Sequence, residues 1–134
     1  MIIDTGILVA AIARRDARHA DAKAVLEVPG RRIVPEPVAV ESAWFIGTRH
    51  GARAEAVFAR SLTSRSFAVE GLTSADRERV AELLDTYADA RIGYVDASVV
   101  AIAERLEQSQ IATFDRRDFS LIRPKHVSAF TLVP

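Results

Sequence analysis

Four acidic residues occupy places where apolar packing would normally exclude them. Asp4 follows Met1-Ile2-Ile3, and Glu41 separates Val38-Ala39-Val40 from Ala43-Trp44-Phe45-Ile46. Asp96 follows Gly93-Tyr94-Val95, and Asp115 follows Ile111-Ala112-Thr113-Phe114. Carboxylates resist burial unless they are paired or bind a metal. Two of them about 4 Å apart repel by roughly 1 kcal/mol in water and roughly 4 kcal/mol in a half-buried site. Four acids gathered at one edge of a small fold therefore call for a cation. With oxygen donors alone and no cysteine, the matching ions are Mg²⁺ or Mn²⁺ rather than zinc. A divalent ion held this way activates water and stabilises a phosphate under attack, which is the chemistry of phosphodiester hydrolysis.

Each acid also has a plainer explanation. Asp4, Asp96 and Asp115 each precede a helical pattern and are suited to cap it. Asp118 lies three residues beyond Asp115, in the manner of a capping box. Glu41 fits this explanation least. On a helix its neighbours at three and four residues are Pro37, Val38, Trp44 and Phe45, so it shares a face with bulky apolar groups. Its remaining alternative is a core-edge ion pair with an arginine. Thr5 and Thr113 sit beside proposed ligands, where a hydroxyl can orient a carboxylate; otherwise they are ordinary helix-start and strand residues. Asp118 is a candidate fifth acid at the rim. His19, His50 and His126 share no spacing and are not assigned as ligands or bases.

The pattern that must position these acids alternates short apolar strands with amphipathic helices. Strands are expected at residues 1–3, 32–34, 67–69, 111–114 and 130–133. Helices are expected at 5–13, 16–28 with Asp16 as cap, from about Pro37 to His50, at 52–63, from Thr73 to before Gly93, at 96–108, and as a turn over 115–121. The strands lack polar alternation, so the sheet is expected to be mostly parallel and covered on both faces. In such sheets ligands gather beyond the carboxyl ends of the strands, and Asp4 and Asp115 fall there.

The chain's 134 residues are 49% hydrophobic and 27% charged, enough for one cored domain over residues 1–134. No stretch reads as a membrane span or a signal peptide, and the absence of cysteine fits a reducing cytoplasm. Eighteen basic and eighteen acidic residues cancel, yet Arg14, Arg15, Arg18 and His19 cluster, as do Arg49, His50 and Arg53, and Arg116, Arg117, Arg123 and Lys125. If the acids share one pocket, the remaining surface is more basic than the total suggests. Each basic cluster alone also reads as a solvated helix face.

The segments Met1-Ile2-Ile3-Asp4-Thr5, Pro37-Val38-Ala39-Val40-Glu41, Gly93-Tyr94-Val95-Asp96-Ala97-Ser98 and Thr113-Phe114-Asp115-Arg116-Arg117-Asp118-Phe119 occur in an order that resembles the PIN-domain nucleases, and more narrowly the VapC-type toxins of bacterial toxin–antitoxin pairs. The resemblance spans nearly the whole chain. It implies a three-layer α/β/α sandwich around a mostly parallel sheet of four to five short strands. It also implies that Asp4, Glu41, Asp96 and Asp115 hold Mg²⁺ or Mn²⁺ for cleavage of specific RNA such as tRNA or ribosomal RNA. A homodimer is implied, and a cognate antitoxin that inserts a segment into the active-site groove and alone brings the complex to DNA. Many relatives carry His where this chain has Asp118, so Asp118 is kept outside the expected site. Arg14, Arg15, Arg116 and Arg117 are the expected RNA contacts, since a guanidinium fork suits phosphate. The same carboxylates would also serve a structure-specific DNA nuclease or a phosphatase. A response-regulator-like signalling domain would need a lysine near a late strand, and neither Lys23 nor Lys125 follows a strand suitably. A binding module without turnover is the last alternative.

Overall fold

The structure is a computed structural model describing all residues from Met1 to Pro134. Five strands form the sheet: β1 (Ile2–Ile3), β2 (Arg32–Pro35), β3 (Phe67–Glu70), β4 (Gln110–Ala112) and β5 (Thr131–Val133). Seven helices cover it: α1 (Thr5–Ile12), α2 (His19–Glu27), α3 (Glu36–His50), α4 (Ala52–Ser61), α5 (Ser74–Thr86), α6 (Tyr94–Arg105) and α7 (Arg116–Leu121). The strand order is β3-β2-β1-β4-β5, and every pairing is parallel. The architecture is the expected three-layer α/β/α sandwich.

The inner strands are apolar because both their faces are covered; Ile2, Ile3, Ile33, Val34, Ile111 and Ala112 are all buried. β3 lies at an edge and is only partly covered. The chain fills one side of β1 with β2 and β3, then crosses to fill the other with β4 and β5. The reversal falls between β1 and β4, which pair with Ile2 opposite Ile111 and Ile3 opposite Ala112. Helices flanking a parallel sheet diverge at such a reversal and leave a crevice beyond the strand ends. Asp4 is the residue after β1, and Thr113 is the residue after β4.

Several boundaries differ from expectation. The second helix begins at His19, not Asp16. The Asp16 carboxylate accepts the Arg18 backbone N–H at 2.8 Å, a local turn that competes with capping. α6 begins at Tyr94, so Asp96 lies inside its first turn. Its carboxylate reaches back to the Gly93 N–H at 3.0 Å and supplies from within the helix what a cap would supply from in front. A Cβ on Gly93 would stand 3.0 Å from that carboxylate oxygen, a tight contact that the side chain would have to ease. The fourth strand stops at Ala112 rather than Phe114. Proline at the second position of α3 costs no helical hydrogen bond. Gly51 closes α3 and opens α4 at φ +86°, a conformation open to glycine.

α5 and α6 are joined by charge as well as by packing. Thr73 and Asp76 form a capping box, and buried Asp76 also accepts Arg105 Nε at 2.9 Å. Arg105 donates in addition to the Gly71 carbonyl at 3.1 Å. Arg79 grips Glu104 with two bonds of 2.8 and 2.9 Å. Removing one partner of a buried pair leaves an uncompensated charge. Arg105→Met is therefore expected to destabilise the fold by about 2 kcal/mol, a figure below the buried-pair range because Arg105 is partly exposed and the Thr73 N–H still serves Asp76. Urea unfolding measures this, and a change below roughly 0.5 kcal/mol would count against it. No helix is long and apolar enough to cross a membrane.

Candidate active site

Asp4 anchors the crevice. Its backbone N–H donates to the Ala112 carbonyl at 3.0 Å, which extends the β1–β4 pairing by one rung. The side chain is only 7% exposed. One carboxylate oxygen accepts the Thr5 backbone N–H at 2.7 Å, and the other accepts the Thr113 hydroxyl at 2.7 Å. The expected cap is therefore real, but it uses one oxygen of two. Burial pushes the Asp4 carboxyl above the usual range; the Thr113 hydroxyl and Thr5 N–H pull it back, and the charges of Glu41 and Asp115 push it up again.

The two threonines extend this contact into a chain. The Thr5 hydroxyl donates to a Glu41 carboxylate oxygen at 2.6 Å. The Thr113 hydroxyl, while donating to Asp4, accepts the Asp115 backbone N–H at 2.8 Å. Asp115 caps α7 by accepting the Asp118 N–H at 3.2 Å. Hydrogen bonds thus run from Glu41 through Thr5, Asp4 and Thr113 to Asp115, and join α3, α1, β1 and the start of α7.

Asp96 belongs to the same centre through its field. Burial raises its carboxyl to about 6 against the Gly93 N–H, and the charges of Asp4, Asp118 and Asp115 add to the rise. No ion pair of the molecule involves Asp4, Glu41, Asp96 or Asp115. Four acids with no basic partner fit a hard divalent ion in charge and donor chemistry. As the side chains stand, however, no three acidic or imidazole groups are arranged to hold an ion. Both oxygens of Asp4 are engaged, and one oxygen each of Glu41, Asp96 and Asp115 is turned onto a neighbouring donor.

Asp118 lies closer to this centre than its place at the rim implies. Its charge acts on Asp96, one of its oxygens is buried without a hydrogen-bond donor, and its nearest cation is Arg117 Nε at 3.9 Å. The signals in the sequence are its spacing of three from Asp115, which a cap explains equally well, and the departure from the His that many members of the resembled family carry there. The surroundings of Glu41 also need correction. Its face enters the core only in part: Val38, three residues before it, is fully buried, but Trp44, three residues after it, is 62% exposed. On its exposed side Glu41 lines a groove of about 580 Å³ with Pro37, Val40, Trp44, Leu72, Tyr94 and Val95, and Glu36 and Arg77 complete the lining.

The four expected RNA contacts separate into two groups. Arg14 and Arg15 are exposed after α1, beside Arg49 and His50. Arg116 is turned onto the Pro134 carbonyl oxygen, and Arg117 lies near Asp118.

A PIN domain profile matches residues 1–123. Ribonuclease VapC26 of Mycobacterium tuberculosis is 33% identical over 135 residues, covering 100% of both chains. The crystal structure of Mycobacterium tuberculosis VapC20, described as a sarcin–ricin loop cleaving toxin, superposes with a TM-score of 0.81 at 26% identity, over 87% of this chain and 90% of that one. A toxin–antitoxin complex from Klebsiella pneumoniae shares the fold, with a TM-score of 0.70 at 23% identity over 90% and 91% of the two chains. The chain belongs to the PIN-domain family and resembles the VapC toxins of type II toxin–antitoxin systems.

Proposed function

We propose that residues 1–134 form a single Mg²⁺- or Mn²⁺-dependent endoribonuclease domain, the toxin of a toxin–antitoxin pair, which cuts specific tRNA or ribosomal RNA and so arrests translation and growth. The observation that carries this reading is the set of four carboxylates at the sheet's reversal with no basic side chain to neutralise them. The ribonuclease relative at 33% identity supports it.

Asp4, Glu41, Asp96 and Asp115 are the residues that would hold the ion. When bound, a divalent ion supplies an activated water and neutralises charge developing on the phosphate. The rest is done by the chain. Thr113 and the Thr5 N–H fix the orientation of Asp4 from both sides. The Thr5 hydroxyl occupies one oxygen of Glu41 and leaves the other without a protein partner, positioned to orient the attacking water. Without an ion, burial and the neighbouring acids hold the Asp96 carboxyl at about 6; a bound cation would favour its ionised form. The protein acts in the cytoplasm as a homodimer. The exposed apolar groove beside Glu41 receives a segment of the antitoxin, which alone carries the complex to DNA.

Incubation with RNA, with single- and double-stranded DNA of the same sequence, and with a phosphomonoester tests the assignment. RNA is expected to be cut at defined positions in millimolar Mg²⁺ or Mn²⁺, and a chelator is expected to reduce cleavage by at least about a hundredfold. Cleavage of DNA alone, or undiminished RNA cleavage in chelator, would overturn it.

A further inference from the structure

Two basic clusters about 35 residues apart in sequence meet in space. Arg14 and Arg15, from the loop after α1, face Arg49, His50 and Arg53 at the junction of α3 and α4. Between them run two grooves of about 590 and 600 Å³, which share Ile12, Arg14 and His50. None of these arginines forms an ion pair. Of the acids nearby, Glu27 faces Lys23, Glu55 lies beside Gly47, and Asp16, which accepts the Arg18 N–H, is the one acid lining the groove of Arg14, Arg15 and Arg49.

A smaller pocket of about 180 Å³ runs from this basic face to Thr5, whose N–H and hydroxyl donate to Asp4 and Glu41. It begins at Thr5 and Gly6 and shares Val9, Asp16 and Arg49 with the first groove. Two arginines are laid over rings along its walls: Arg18 over Phe114 at 4.8 Å and Arg49 over Phe45 at 4.7 Å. Stacking fixes a guanidinium plane and leaves its edge N–H groups available for a bidentate phosphate contact. On the other side of the centre, Arg116 is used by the Pro134 carbonyl and Arg117 adjoins an acid.

We infer that the sugar–phosphate backbone of the RNA leaves the carboxylate centre along this route, past Arg18 and Arg49 and into the cationic groove of Arg14, Arg15 and Arg53, and not over Arg116 and Arg117. The inference rests on the ribonuclease reading and gives the strand a direction. Contacts of this kind hold phosphates without reading bases, so the groove sets affinity and register while sequence choice lies elsewhere. The apolar groove beyond Glu41 is then left for a protein segment.

The test is binding of a fluorescein-labelled RNA oligonucleotide to the full chain carrying Asp4→Asn to prevent cleavage, between 50 and 300 mM KCl (a range of about sixfold). For a single strand each phosphate contact contributes about 0.7 to the slope of log affinity against log salt. Combining Arg14→Ala, Arg49→Ala and Arg53→Ala is expected to lower the slope by about 2 and to weaken binding equally for unrelated sequences. Arg14→Ala with Arg53→Ala alone, both at exposed positions that hold no packing, is expected to lower it by about 1.4. Replacement by Lys is expected to keep the slope, and Arg117→Ala to leave it unchanged. An unchanged slope in the double variant, a drop carried by Arg117→Ala, or no salt-dependent binding by the parent would overturn the inference. The two readings fail separately. Cleavage of RNA by the wild type with an insensitive slope removes only the groove, whereas a sensitive slope without any cleavage removes only the nuclease.

Discussion

Asp96→Asn is expected to make the metal-free protein more stable at pH 7.5 while lowering RNA cleavage by at least about a hundredfold. Asp96 is held at about 6 when folded, against 3.8 for a free aspartate. Below 3.8 it is protonated in both states and contributes nothing. As pH rises from about 4 to about 6 the unfolded chain ionises first, so the fold loses stability across that window, and the penalty is complete above it. At about 1.4 kcal/mol per pH unit the gap has an upper limit near 3 kcal/mol. Asp96 is partly exposed, which reduces this to on the order of 1–2 kcal/mol. Asparagine keeps an oxygen for the Gly93 N–H and removes the charge that Asp4, Asp115 and Asp118 oppose. In chelator, the thermal midpoint of the wild type should fall between pH 4 and 6 while that of the variant stays flatter. Adding Mg²⁺ at pH 7.5 should raise the wild-type midpoint more than the variant's. A variant that is less stable and fully active would contradict both halves.

Thr113→Val is expected to weaken catalysis through Asp4. Valine matches the shape of threonine, but no hydroxyl then donates to Asp4 or accepts the Asp115 N–H. Both groups lose their partner where water has little access, which costs roughly 1–3 kcal/mol of stability. The hydroxyl is also the strongest influence holding the Asp4 carboxyl down against burial, so its loss raises that carboxyl further. The acid limb of the pH–rate profile is then expected to move to higher pH. Cleavage at neutral pH is expected to fall by about 10–100-fold, with partial recovery under alkaline conditions. Thr113→Ser, which keeps the hydroxyl, is expected to stay near wild type. An acid limb that does not move in Thr113→Val would show that the hydroxyl does not govern Asp4.

The parallel sheet and the two acids at its strand ends are legible in the sequence because local pattern determines them. Ile2-Ile3 and Ile111-Ala112 are too apolar to be anything but covered on both faces, and the chain leaving a covered strand emerges at the sheet's edge. The surroundings of Glu41 are not legible in the same way. Helical spacing places Trp44 on its face, yet only the position of the sheet decides which side of α3 is buried, and here Val40 and Trp44 face outward. Asp96 reads as a cap in front of α6, because spacing alone does not separate that from a first-turn residue reaching back. The Arg105–Asp76 and Arg79–Glu104 bridges join residues 29 and 25 apart, and no periodicity connects those. Arg14 and Arg15 look equivalent to Arg116 and Arg117 as RNA contacts in the sequence, and only the folded chain separates the pairs. The first lies with Arg49, and the second lies with Pro134 and Asp118.

The strand order has a bearing on how such a protein is made. Asp4 lies near the start of the chain, yet the hydroxyl that orients it arrives 109 residues later, and Asp115 comes after that. A polypeptide still emerging from the ribosome, with β4 not yet synthesised, holds Asp4, Glu41 and Asp96 but lacks Thr113 and Asp115, which form the opposite wall. The crevice is complete only once the segment carrying β4, Thr113 and Asp115 closes onto the first strand.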